Sequence, residues 1–146
     1  MPDQPDFVSE NQKELEHLTQ LAHGLTETQL LMPMEAGWTV CGVFMHLAFW
    51  DRRVLTLLEK WKHTGPGPSP VDTDVLNEAM RPLLNAVTPH VAIELAVNAA
   101  GQVVEAIARL EPDQIADIQA NGQSARLNRA IHWKNHLSEI EQKLGL

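Results

Sequence analysis

Apolar residues recur at helical steps of three and four in four long stretches of the chain. In FVSENQKELEHLTQLAHGL, residues Val8, Leu15, Leu18, Ala22 and Leu25 share one face. Gly24 is a stop, and Thr26 and Thr28 lie in the turn after it. LLMPMEAGW breaks the pattern at Pro33 and Gly37, and Thr39 is placed to cap the next helix. VCGVFMHLAFWDRRVLTLLEKWKH then predicts a long second helix that buries Val43, Leu47, Trp50, Val54, Leu58 and Trp61. TGPGPSPVDTD is too rich in proline and glycine to continue it.

A short helix over DVLNEAMRPLL is expected to end near Pro82. Thr88 and Pro89 read as N-cap and first residue of the third main helix, HVAIELAVNAAGQVVEAIARL, with Ile93, Val97, Ala100, Val104 and Ile107 on its stripe. Glu111-Pro112 closes it, a short turn with Asn121-Gly122 follows, and a fourth helix is expected over 124–144. No run alternates as a strand does, and the chain has no tyrosine.

Four helices with one apolar face each predict an all-α four-helix bundle, formed by residues 1–146 as a single domain. The connections after helices one and three look short, so each is expected to join antiparallel neighbours. Helices two and three are separated by roughly 25 residues, enough to cross the bundle and depart from simple up-down-up-down order.

Charge narrows the partners. Eleven basic residues stand against 19 acidic ones, a net charge of −8 with no local Lys/Arg cluster in the sequence to offset it. Such a surface repels phosphate backbones, so neither nucleic acid nor an anionic membrane is an expected partner. No run of 18 or more apolar residues predicts a membrane span, and the first residues lack the basic and apolar regions of a secretory signal, so a cytoplasmic location is the expectation. Cys41, the only cysteine, can form neither an intrachain disulfide nor a Cys-rich zinc site, and reads as a small buried apolar residue.

The candidate chemistry lies with histidine. In AIHWKNHLSEIE, His132 and His136 are one helical turn apart, roughly 70–110° from the apolar direction set by Trp133, Leu137, Ile140 and Leu144. His46 lies about 75° from the apolar centre of the second helix. All three border the core, where a cleft between helices would lie. Three neutral imidazoles from two helices can bind Zn²⁺ or Ni²⁺ and leave a position open for substrate. Spacing alone leaves the alternative standing: a chance pair on a solvated face and a lone capping or surface histidine. Trp50, Arg53 and Arg129 fall near the histidine faces; either arginine could hold a substrate carboxylate or be a surface charge. Glu139 could orient an imidazole or pair with Lys143. His90 reads as structural or exposed, and His17, His23 and His63 carry no signal.

The two histidine segments together resemble the DinB-like superfamily, which includes the N-terminal domains of mycothiol-dependent maleylpyruvate isomerases. The resemblance rests on Trp38-Thr39-Val40 before a helix carrying His46 and Trp50, on the His132/His136 pair in the last helix, and more weakly on Asp72, Asp74 and Asn77 in the connection. It covers nearly the whole chain. It implies a four-helix bundle of unusual connectivity, a divalent metal (Zn or Ni) held by His46, His132 and His136, and a homodimer. It further implies a small-molecule substrate and thiol-transferase-like chemistry with a low-molecular-weight thiol. A metal-dependent hydrolase and a metal-free bundle that binds or sequesters a small molecule are the alternatives.

Overall fold

The computed structural model describes residues 6–146. Its α-helices are α1 (Asp6–Gly24), α2 (Glu27–Leu30), α3 (Val40–Thr64), α4 (Thr73–Asn85), α5 (Pro89–Ala108), α6 (Pro112–Ala120) and α7 (Ala130–Leu144), with 3₁₀ turns at Glu35–Gly37 and Ser124–Arg126. Among the described residues there is no β-strand, only one isolated bridge between Pro33 and Thr39. The long helices α1, α3, α5 and α7 form the bundle. Phe44, Leu47, Val103, Trp133, Leu137 and Ile140 are among the side chains that fill its core.

Local chemistry sets most of the boundaries. Thr39 Oγ1 accepts the Gly42 N–H at 2.9 Å and starts α3; Gly65, at φ 75°, ends it where a side chain would be strained. Pro89 occupies the first turn of α5, where its missing N–H costs nothing.

Three sequence expectations need correction. Pro82 lies inside α4, which continues to Asn85. The carbonyl it deprives belongs to Glu78, on the exposed side of the helix, where water can serve it. The expected turn after Glu111 contains α6, started by Pro112 and a reciprocal Glu111–Gln114 capping box, and it buries Ile118. The last helix begins at Ala130, not 124. Its cap comes from another helix: buried Asn11 Oδ1 accepts the N–H groups of Arg129 (2.8 Å) and Ala130 (3.0 Å), while Asn11 Nδ2 donates to Leu127 O at 2.8 Å.

The packing order is also not the one expected from loop length. Both α1 and α3 pack against α5 and α7, so α1 and α3 sit across a diagonal, as do α5 and α7. The intervening segments 25–39 and 109–129 hold helical turns of their own and carry the chain across that diagonal. Directions follow from cross-links. Asn11–Ala130 and His17–Glu141 (3.0 Å) make α1 and α7 parallel. Asn85, four residues before α5, meets Thr39 at the start of α3, and Arg52 donates to Gln102 further along, so α3 and α5 run parallel. His46 lies beside His136 and Asp51 beside Trp133, so α3 and α7 run antiparallel. The resulting order is up-down-down-up, and the long connection carrying α4 returns the chain to the starting end.

Small side chains at Ala92, Ala96, Ala99 and Ala100 let α5 approach its neighbours closely. By length and composition α5 is long and apolar enough to cross a membrane, with mean hydropathy 1.4, although Glu94, Asn98, Gln102 and Glu105 interrupt its apolar residues. Here it is a central bundle helix, packed on both α1 and α3.

Candidate metal centre

The antiparallel contact of α3 and α7 brings His46, His132 and His136 together. Ring centroids are 5.4 Å apart for His46–His132, 4.9 Å for His46–His136 and 4.8 Å for His132–His136. The candidate ligand nitrogens all lie within 4.8 Å of one another. The spacing of His132 and His136 explains their half of the cluster, since i and i+4 stack on one helix face. His46 joins them because α3 turns the same edge toward α7.

Burial governs the electrostatics. It pushes His46 down to about 4, helped by the nearby charges of His136 and Arg129. It pushes His132 down to about 3, helped by Arg129. His136 is lowered too, again by burial, with Glu139 pulling the other way. All three rings are therefore neutral at pH 7, as ligands must be. Nδ1 of His46 and of His136 are buried with no hydrogen-bond partner. Orphaned nitrogens of this kind are costly unless something occupies them, so the donor set suits a divalent cation.

A cleft of about 530 Å³ opens beside the triad, lined by Met34, Trp38, His46, His136, Glu139 and Lys143 among others. Trp38 packs edge-on against His46, with centroids 5.1 Å apart. Its placement depends on a stitch between α4 and the loop before α3. Asn85 Oδ1 accepts the Thr39 N–H (3.1 Å) and Asn85 Nδ2 donates to Gly37 O (2.8 Å). Gly42 permits this approach: a Cβ there would lie 2.0 Å from Asn85 Oδ1. On the cleft rim Ala36 holds φ 63°, a left-handed conformation that costs a non-glycine residue roughly 1–2 kcal/mol.

Other residues singled out in the sequence fall as follows. Glu139 Oε2 is 3.6 Å from His136 Nδ1, beyond a direct hydrogen bond. Trp50, Arg53 and Arg129 are not among the residues that line the cleft; Trp50 and Arg53 contact the connection between α3 and α5, and Arg129 contacts His132. Trp50 lies 6.4 Å from His46 and donates to Asn77 Oδ1 at 3.2 Å, which gives Asn77 a structural role. Asp72 caps α4 by accepting the Val75 N–H. Arg53 stacks over Trp50 at 5.6 Å and donates to Ser69. Cys41 is buried in the core, and His90 is exposed.

Arg129 is not a surface charge. It is 7% exposed, its Nε donates to Asp51 Oδ1 at 2.9 Å, and its Nη2 lies 3.2 Å from His132 Nδ1. Asp51 is fully buried and also accepts from Trp133 Nε1 at 2.9 Å. Burial raises its carboxyl to about 6 against the opposing pull of Arg129, so it is ionised at pH 7. Sequence periodicity missed Asp51, because an acidic residue on a buried helix face carries no pattern of its own. Burial lowers Arg126, and the charges of Arg53 and Arg129 add to that.

Comparison with known proteins agrees with this architecture. The fold is similar to that of YfiT from Bacillus subtilis, "a probable metal-dependent hydrolase with an unusual four-helix bundle topology", with a TM-score of 0.66 and 18% identity over 96% of this chain and 86% of that one. No curated protein matches the chain. The sequence profile of the mycothiol maleylpyruvate isomerase N-terminal domain matches residues 12–135, a span that takes in His46, His132 and most of α1 through α7. The chain belongs to that family, and with it to the DinB-like superfamily.

Proposed function

We propose that the protein is a metal-dependent enzyme in which His46, His132 and His136 hold a divalent cation, zinc or nickel, and that it performs thiol-transferase-like chemistry on a small electrophile. One observation carries the reading: three neutral imidazoles from two antiparallel helices meet beside a solvent-open cleft. A bound cation there supplies Lewis acidity, which favours the thiolate of an entering thiol near pH 7. The chain's own residues do the rest. Burial keeps the three rings neutral, and His46 and His136 each keep a ring nitrogen without a hydrogen-bond partner. Trp38 holds His46 in place and walls one side of the cleft. Glu139 reaches the triad from the cleft side and is the carboxylate placed to take up the proton that a thiol gives up. Membership in a family named for a thiol-dependent isomerase supports thiol chemistry over other uses of such a site.

Hydrolysis is the second reading, favoured by the likeness to YfiT. In it the same residues serve a water molecule instead of a thiol.

The test is to incubate the purified protein with a low-molecular-weight thiol and a panel of small electrophiles, following loss of free thiol. The reading expects consumption that disappears after chelation and in His136→Ala. Chelator-sensitive cleavage of esters or amides without thiol would favour hydrolysis. Absence of both would sink the enzyme reading.

A further inference from the structure

Imidazoles that hold a metal are usually aimed by a carboxylate or carbonyl on their second ring nitrogen. His46 has no such guide at Nδ1, which is buried without a hydrogen-bond partner. Two indole rings contact it edge-on instead. Trp38 lies 5.1 Å away between centroids, with 63° between the planes, and Trp50 lies 6.4 Å away, with 69° between the planes. Trp38 precedes α3, and Trp50 sits one turn after His46 within it. Whatever holds these two indoles therefore bears on the direction of the His46 ring.

Both are held from one face of α4. Asn77, Arg81 and Asn85 recur every four residues, so they stack along a single stripe of that helix, which packs on α3. Asn77 Oδ1 accepts the Trp50 Nε1–H at 3.2 Å. The Arg81 guanidinium lies over the Trp38 ring, 5.7 Å from its centroid, a cation–π contact. Arg81 Nε is buried without a hydrogen-bond partner, so at that atom no oxygen competes with the indole. The Arg81 stem runs against Gly37, at φ 84°, where a Cβ would come within 3.2 Å of Arg81 Cδ. Asn85 ties down the backbone on both sides of Trp38, at Gly37 O and the Thr39 N–H. A helix placed here only to bury apolar surface would turn its aliphatic residues inward. Instead Val75 and Leu83 are exposed, while Asn77, Arg81 and Asn85 are half-buried.

We propose that Asn77, Arg81 and Asn85 are positioning residues for His46: one stripe of α4 holds Trp50 and Trp38 against the imidazole and so sets the direction in which its nitrogens are presented. That the aimed ring serves a divalent cation rests on the enzyme reading above; the bracing of His46 stands on these contacts alone. The connection between α3 and α5 then does more than return the chain to the starting end of the bundle. It aligns the one ligand that α3 contributes with the two on α7.

The test reads the histidine rings directly. Imidazole ¹H–¹⁵N spectra of the metal-free, ¹⁵N-labelled full chain are recorded first, and zinc affinity is then measured by competition with a chromogenic chelator. The variants are Asn77→Leu, which removes the acceptor, and Arg81→Met, which keeps the stem without the charge. Asn77→Asp and Arg81→Lys restore the acceptor and the charge, and Glu78→Gln on the exposed side of α4 is the control. In both disruptive variants the His46 resonances should shift or broaden, since they lose the fixed ring currents of Trp38 and Trp50, and more so than those of His132 and His136. Zinc affinity should fall about tenfold, the low end for loss of an outer contact to a ligand. The conservative variants should keep wild-type His46 signals, and Glu78→Gln should change neither readout. Unchanged His46 signals in both disruptive variants would overturn the proposal. So would equal shifts of all three histidines, which indicate general loosening, the same loss in Glu78→Gln, or failure of both conservative variants to restore the His46 signals. A displaced His46 ring with unchanged zinc affinity would overturn its bearing on the metal site. A displaced His46 ring in a protein that binds no zinc even as wild type would uphold the brace and remove the metal reading.

Discussion

Arg129 Nη2 points at His132 Nδ1 from 3.2 Å. A guanidinium only donates, so Nδ1 accepts, and the single ring proton of the neutral imidazole must sit on Nε2. A ring in that state has no lone pair to spare. His132 becomes a ligand only when this contact is released or the ring proton is lost, so Arg129 competes with any cation. Arg129→Lys keeps a charge for Asp51 but lacks the second arm of the fork. It should raise zinc affinity by roughly tenfold, the equivalent of about one hydrogen bond to a charged group. Competition against a chromogenic zinc chelator measures this. Weaker zinc binding in the variant would mean that Arg129 supports the ligand set.

The Asp51–Arg129 pair also holds α3 to the start of α7. Arg129→Met would leave the fully buried Asp51 carboxylate with only Trp133, at a cost of about 3–5 kcal/mol. Adding Asp51→Asn removes the stranded charge and should restore a large part of that loss. Urea denaturation of the two single variants and the double variant gives the coupling directly. Strict additivity would show that the pair does not act as a unit.

Acid should destabilise the metal-free protein through its histidines. Unfolded, they take up protons near 6.5; folded, His46 does so only near about 4 and His132 near about 3. Between those values the unfolded chain holds more protons, so stability falls as pH drops. His136 is shifted in the same direction. Asp51 acts in the opposite sense: its carboxyl is raised from 3.8 to about 6, so the folded state takes up its proton first and gains between pH 6 and 4. Two or three histidines outweigh one carboxylate, leaving a net loss on the order of 1–2 kcal/mol per pH unit. Urea midpoints of chelated protein at pH 7, 6 and 5 should decline in that order. A flat or rising series would contradict the histidine burial.

Asn11 joins the two ends of the chain. Its amide serves three backbone groups at the start of α7, and Asn11→Leu would leave all three without their partner. The expected cost is about 2–4 kcal/mol, the desolvation of several backbone groups. Hydrogen exchange should show the first turn of α7, and with it His132, opening more readily than α3. Wild-type protection in that turn would rule out Asn11 as its cap.

The histidine cluster was legible because two of its members share a helix face and the third follows the Trp38-Thr39-Val40 motif. The bundle was legible from four apolar stripes. The diagonal packing was not, because loop length says nothing of the short helices that carry the chain across. The start of α7 was misplaced because its cap lies 119 residues away, in Asn11. Asp51 and Arg129 look like surface charges in a linear reading; only their mutual contact makes burial tolerable.

The most direct test of the central claim is metal content by inductively coupled plasma mass spectrometry, on protein purified without a histidine tag, beside His46→Ala and His132→Ala. A three-histidine metal site holds close to one equivalent of zinc or nickel in the wild type and little in either variant. Substoichiometric metal that both variants retain would contradict it and leave the cleft as a metal-free binding site.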